Sequence, residues 1–127
     1  MRRNEIRTKS TAFGKRIVKV YQYLTENKKE FILSKQLLRC GTSIGANVTE
    51  AQYGSTRKDF LYKLYIALKE CAETLYWLEL LASGGYLTDA QYRSLSGDCE
   101  ELRKILSAIT KSVKESDVLL LEKEEHS

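Results

Sequence analysis

Residues 34–54 read SKQLLRCGTSIGANVTEAQYG. Within them Leu37, Gly41, Ile44, Val48 and Ala51 recur at alternating spacings of four and three, the rhythm of an amphipathic helix. Two interior glycines, Gly41 and Gly45, each cost about 1 kcal/mol of helix propensity relative to alanine. Glycines four apart lie on one side of a helix, where the missing side chains let a second backbone come close. Beside the apolar stripe runs a polar one. Gln36, Arg39, Ser43, Asn47 and Glu50 fall within about a quarter-turn of each other at about 100° per residue. The segment is expected to be a helix buried on most sides. Its polar stripe either faces water or forms a hydrogen-bonded network with partners.

Outward from this segment, the helix reads as 34–53, with Ser34 as its N-cap and Gly54 and Ser55 as its break. Before it, Phe13, Ile17, Val20 and Leu24 set a first helix over 10–28, opening near Ser10 or Thr11 and closed by Asn27, Lys28 and Lys29. Residues 1–9 are polar and basic and are expected to fray. After it, Thr56 and Asp59 form a capping-box variant that opens a third helix over 56–84. Its seam runs Phe60, Leu64, Ala67, Cys71, Leu75 or Thr74, Leu78 and Ala82. Leu61, Tyr65, Leu68, Ala72, Trp77 and Leu81, with Tyr62, Tyr76 and Leu80, give more apolar surface than one core face requires, which points to a subunit interface. Gly84 and Gly85 end this helix. Thr88 with Gln91 is a capping box for a fourth helix over 88–115, whose stripe is Tyr92, Leu95, Cys99, Leu102, Leu106, Ile109 and Val113. Beyond it lies a tail with an apolar patch, Val118 to Leu121, which either extends the helix or hangs free. The 127 residues include no proline, strand signals are nearly absent and the connections are short. The expected fold is all-α, one domain over 1–127, an antiparallel up-down-up-down four-helix bundle.

The run QLLRCGTSIGANVTEAQYGSTRKDFLYKLYIALKECAETLYWLELLASGGYL resembles the 23S rRNA intervening-sequence proteins and is similar to the accessory proteins of diversity-generating retroelements. The matching positions are Gln36, Arg39, Ser43, Ile44, Asn47 and Glu50, continuing through Arg57, Lys58, Phe60, Ala67, Glu73, Gly85, Tyr86 and Leu87. The resemblance spans about residues 10–113. Ala51, where the family usually has glycine, and the lack of a proline before the second helix depart from its pattern. The resemblance implies a four-helix bundle and a ring-like homo-oligomer, a pentamer as in similar proteins. It also implies an association with nucleic acid or a reverse transcriptase, as in the retroelement relatives.

The chemistry legible in the residues is that of a binding protein. The one histidine, His126, stands next to the end, so a histidine triad or general base is not expected. No Glu-x-x-His pair offers a di-iron site, and Gly41 to Gly45 lacks the Lys-Ser/Thr of a phosphate loop. Cys40, Cys71 and Cys99 lack metal spacing and lie on or beside apolar stripes, as buried thiols in a reducing cytoplasm do. No cofactor is expected. There is no leader-like apolar stretch after Met1 and no run long enough to span a membrane, so a cytoplasmic protein with no membrane contact is expected.

The formal net charge is +4, but it is unevenly spread. About 15 Lys and Arg against 5 Asp and Glu fall in residues 1–69, and about 6 against 12 in residues 70–127. Such asymmetry means either an electropositive surface that attracts nucleic acid or charge matching between helices. Candidate phosphate contacts are Lys15, Arg16 and Lys19, Lys28 and Lys29 after the first helix, and Arg57, Lys58 and Lys63. Tyr53 and Tyr62 are placed to stack on unpaired bases. Two functions are carried forward. One is a non-enzymatic accessory protein that binds RNA or a ribonucleoprotein through a basic surface. The other is a protein-interaction scaffold without nucleic-acid contact. In the first the basic clusters share one exposed face; in the second they are dispersed or paired with acids.

Overall fold

The computed structural model describes residues 3–125. They form four helices, α1 (Arg3–Glu26), α2 (Leu33–Ala51), α3 (Arg57–Ser83) and α4 (Asp89–Glu125), and among the described residues there is no strand. The helices pack α1 on α2, α2 on α3, α3 on α4, and α4 back on α1. They enclose one core whose fully buried members include Ile17, Leu37, Ile44, Leu64, Leu78, Leu102 and Leu106. Each such side chain contributes about 1.5–3 kcal/mol through the water it leaves.

The apolar stripe of α2 is buried as its spacing predicts: Leu37, Gly41, Ile44, Val48 and Ala51 all face inward. The two glycines are where α1 comes close. A Cβ on Gly41 would stand 2.9 Å from Cγ1 of Ile17, and a Cβ on Gly45 would stand 3.1 Å from the carbonyl oxygen of Ser10. The second contact is against backbone, which cannot rotate away.

That approach explains why α1 begins seven residues earlier than its sequence suggests. Residues 3–9 are helical, and Ile6 is 1% exposed. The stripe Ile6, Ser10, Phe13, Ile17 keeps the four-three spacing, but its second member is a serine, buried because it lies against Gly45. Val20 is only partly buried. On α3 the seam passes through Thr74 and Leu81, and Leu75 and Ala82 are partly buried beside it. The Thr74 hydroxyl meets the burial requirement by donating to the Glu70 carbonyl oxygen at 2.7 Å.

The caps divide into foreseen and unforeseen. Thr56 accepts from the Asp59 backbone N–H at 3.0 Å. Thr88 and Gln91 exchange side-chain and backbone bonds at 2.8 and 3.1 Å, a complete capping box. Gly85, at φ 82, carries the chain out of α3 in the left-handed region that glycine enters without strain. The start of α2 is different. Ser34 is not the cap; it is buried as the second residue of α2, donating through Oγ to the Glu30 carbonyl at 2.7 Å. The capping group is the Glu30 carboxylate, which accepts from the backbone N–H groups of Ile32, Leu33 and Ser34 at 3.0, 2.8 and 2.6 Å. Burial alone would raise the pKa of this carboxyl. The three backbone bonds, with a further one from the Ser34 side chain, outweigh it and hold the pKa below its ordinary value.

At the other end of the chain, α4 does not stop near residue 115. It runs helical to Glu125, well past Val113, its last buried residue. His126 lies outside the described residues.

Two outcomes test this account. Gly45→Leu must push α1 away and should cost about 1–3 kcal/mol. Gly14, inside α1 with nothing within 4 Å of an added Cβ, is the control, and Gly14→Ala should stabilise by up to about 1 kcal/mol. Thermal melts that rank the two variants the other way would refute the close approach. Glu30→Ala should cost about 1 kcal/mol at neutral pH. Because the folded pKa of Glu30 is depressed, its contribution is present above the unfolded value and is lost as pH falls through the folded one. Acid titration of the wild type against Glu30→Ala should therefore converge at low pH; a constant gap down to pH 2 would sink the assignment.

Candidate nucleic-acid interface and the α2–α3 polar groove

The eight basic candidates do not form one patch. Arg16 is turned across α1 toward α4, where it donates to Asp98 Oδ2 at 2.7 Å and to Ser94 Oγ at 2.6 Å. Arg57 pairs with Asp117 at 2.6 Å and Lys63 with Glu50 at 3.0 Å. These pairs are partly exposed, so each stabilises the fold little, but they place an acid beside each cation and weaken its pull on a phosphate. Lys15, Lys19 and Lys58 are exposed and have no acid partner among the described residues. Lys15 and Lys19 stand one turn apart on the outer face of α1, with Arg7 exposed two turns before Lys15. Lys58 is on α3, which meets α1 at the Arg3 guanidinium, 4.2 Å over the Phe60 ring, and not along its length. Lys28 and Lys29 are exposed in the turn after α1, where Lys29 adopts φ 55. Tyr53 and Tyr62 are both open to solvent, Tyr53 in the α2–α3 turn and Tyr62 on α3.

The polar stripe of α2 resolves into three separate sets. At one end Arg39 donates to Gln36 Oε1 at 3.2 and 3.3 Å and crosses to α3, where it pairs with Glu73 and stands 3.7 Å from Glu70. Glu73 also accepts from Trp77 Nε1 at 3.0 Å. In the middle, Asn47 is buried and stays within its own helix, donating to the Ser43 carbonyl at 2.8 Å and to Ser43 Oγ at 3.1 Å. At the far end Glu50 meets Lys63. The stripe thus lines a groove between α2 and α3, crossed by Arg39 at one end and by Glu50 at the other.

Sequence spacing did not bring Glu70 into this set. Its carboxyl pKa is raised, first by burial and then by the neighbouring Glu73, with Arg39 acting in the opposite sense. Its Oε2 is buried and makes no hydrogen bond among the described residues. The three cysteines are free and buried. Burial pushes the Cys40 thiol up to about 11, and contact with Cys71 together with burial pushes Cys99 up as well. Such thiols are inert as nucleophiles at neutral pH. Among the described residues no group of His, Cys, Asp and Glu side chains is placed to hold a metal ion, and no helix is long and apolar enough to cross a membrane.

The sequence model of the 23S rRNA-intervening sequence protein matches residues 2–108. Among solved structures the chain is similar to a protein of unknown function from the S23 ribosomal protein family of Bacteroides thetaiotaomicron, at 50% identity and a TM-score of 0.86. The match covers 87% of this chain and 99% of that one. No curated protein matches the chain.

The groove yields a paired prediction. Glu73→Ala removes the acceptor of both Trp77 and Arg39 and should cost about 1–3 kcal/mol. Glu70→Gln removes a charge that burial disfavours, so its melting temperature at pH 7 should equal or exceed that of the wild type. Equal losses in both variants would show that the two carboxylates have no such division of labour.

Proposed function

The chain belongs to the 23S rRNA-intervening sequence protein family, and from that premise we propose that it is a non-enzymatic accessory protein that binds nucleic acid through the outer face of α1. The observation that carries this reading is the pair Lys15 and Lys19, exposed one turn apart and free of acid partners among the described residues. Three phosphate-facing cations including Arg7 would bind RNA, or an RNA–protein complex, through counterion release and with little sequence preference. The architecture in this reading is an antiparallel up-down-up-down four-helix bundle. Paired contacts on each seam support it, since numbers rise on one helix as they fall on its neighbour: Ser10 with Gly45 and Ile17 with Gly41, Lys9 with Glu101 and Arg16 with Asp98, Arg39 with Glu73 and Glu50 with Lys63, Arg57 with Asp117 and Cys71 with Cys99. The bundle works in the cytoplasm as a homo-oligomer, a pentamer by resemblance, which would repeat the α1 face on every subunit and raise avidity through effective concentration.

On the α3 side a protein-interaction role has its own support. Arg57 and Lys63 are taken up by acids, and the outward residues there are Tyr62, Tyr65 and Tyr76, a surface suited to another protein.

Anisotropy titrations with single-stranded RNA and DNA at two salt concentrations test the reading. Wild-type affinity should fall linearly in log–log form as salt rises. Lys15→Glu with Lys19→Glu should abolish binding with helicity unchanged, and Lys63→Gln should leave binding intact. If the wild type binds neither strand at low salt, the scaffold role is the function. Binding by the double variant at wild-type strength would move the site elsewhere.

A further inference from the structure

A hollow of about 320 Å³ opens between α1 and the first turns of α4. Its wall on α1 is Arg16, Lys19, Val20 and Tyr23, at i, i+3, i+4 and i+7 and therefore on one face. The opposite wall is Leu87, just before α4, with Gln91 and Leu95 one turn apart on α4 itself. The volume is at the small end of the range for small-ligand pockets, about 300–1,000 Å³.

The lining sorts into an apolar floor and a rim of donors. Leu87 and Leu95 are buried and Val20 is partly buried, so the floor suits a ligand with an apolar face. Tyr23 adds an aromatic ring. Lys28 Nζ stands 5.9 Å over that ring, near the outer limit of cation–π reach at about 6 Å, so the contact is weak and a flat ligand can displace it. At the rim, Gln91 accepts the Thr88 backbone N–H through Oε1 at 2.8 Å, which leaves its amide nitrogen, a donor only, as the free end. Lys19 is exposed and has no acid partner among the described residues. Arg16 is held by Asp98 and Ser94, so the acid next to this wall is already engaged. Among the described residues no carboxylate lines the hollow.

A flat ligand with apolar faces and acceptors at its edge answers this lining. An unpaired nucleobase has that form, with π-faces that stack on aromatic rings and acceptor atoms around its edge. We propose that the hollow takes one unpaired base of the strand whose phosphates Lys15 and Lys19 hold. The inference rests on the nucleic-acid reading of α1 and deepens it. Lys19 belongs to both parts: it stands at the rim of the hollow and, with Lys15 about 6 Å earlier along α1, on the phosphate face. A duplex keeps its bases paired and stacked, so it offers phosphates to α1 but no base to the hollow.

Oligothymidylate compared with an abasic deoxyribose-phosphate strand of the same length tests the hollow, because the two carry equal charge and differ only in the bases. In anisotropy titrations at low salt the full-length protein should hold oligothymidylate at least about five-fold more tightly. Gln91→Glu keeps a capping group, since glutamate caps as glutamine does, and turns the free donor into an acceptor. It should bring that ratio toward one. Gln22→Glu puts the same charge on the exposed surface of α1, three residues past Lys19, and should lower both affinities while keeping the ratio. Val20→Phe fills the hollow and should also erase the ratio; if it loses helicity, Gln91→Glu against Gln22→Glu decides alone. A wild-type ratio of one overturns the base hollow and leaves phosphate binding by α1 standing. A ratio that survives Gln91→Glu, or that falls equally with Gln22→Glu, overturns it as well. Absence of binding to either strand removes the nucleic-acid reading and this inference together.

Discussion

The fold rests on the close approach of α1 to α2. Glycine at 45 lets the Ser10 carbonyl come within reach of where a side chain would otherwise stand, and glycine at 41 gives Ile17 its seat. The helix-propensity cost of two glycines is offset by what the approach makes possible. With α1 drawn in, Ile6, Phe13 and Ile17 are sealed from water. The other sides of α2 are then free to meet α3 and to send Arg39 across to Glu73. Widening this one contact would loosen the core and the groove together, because α2 packs on both α1 and α3.

The uneven charge along the chain finds much of its explanation in packing. Lys9 meets Glu101, Arg16 meets Asp98, Arg39 meets Glu70 and Glu73, and Arg57 meets Asp117. In each case a cation from the basic first half faces an acid from the acidic second half. Folding brings opposite charges together along the helix seams and leaves a smaller field than the linear sequence suggests. What survives as positive surface without an acid partner among the described residues is dispersed and includes Arg7, Lys15 and Lys19 on α1, Lys28 and Lys29 in the turn after it, and Lys58 and Lys69 on α3.

Sequence reading succeeded where one residue type has one physical use. The apolar spacing of α2, the Thr88–Gln91 capping box and the glycine exit at Gly85 were all legible. It failed where a residue's role depends on a distant neighbour. Ser10 looks like a helix start until Gly45 is set against it, and only then does burial of a serine make sense. Glu30 is a poor match to the short side chains that usually cap a helix, and it works because it precedes the helix by three residues and its longer side chain reaches forward to the first turn. Thr74 and Leu75 are equally good by spacing, and only the register with α4 and α2 selects the threonine. The fates of Arg16, Arg57 and Lys63 were illegible for the same reason, since a partner 13 to 82 residues away is fixed by helix register and not by local pattern.

The seam between α1 and α4 is the least extensive of the four. It joins the helices farthest apart in sequence, and its lateral ties include exposed polar ones: Lys9 to Glu101 at 3.0 Å, and Arg16 to Asp98 and Ser94. The other seams join helices that follow each other through short turns, so their contacts form at little cost in loop entropy. Closing the ring of helices asks the chain to bring its first element to its last, the contact of longest sequence separation and so of the largest loop-closure cost. Ionic strength screens the ties that then hold this seam shut more than it affects the apolar packing elsewhere. The least extensive seam is thus also one held partly by salt-sensitive ties, a clasp on the flank of α1 next to the face that carries its free lysines.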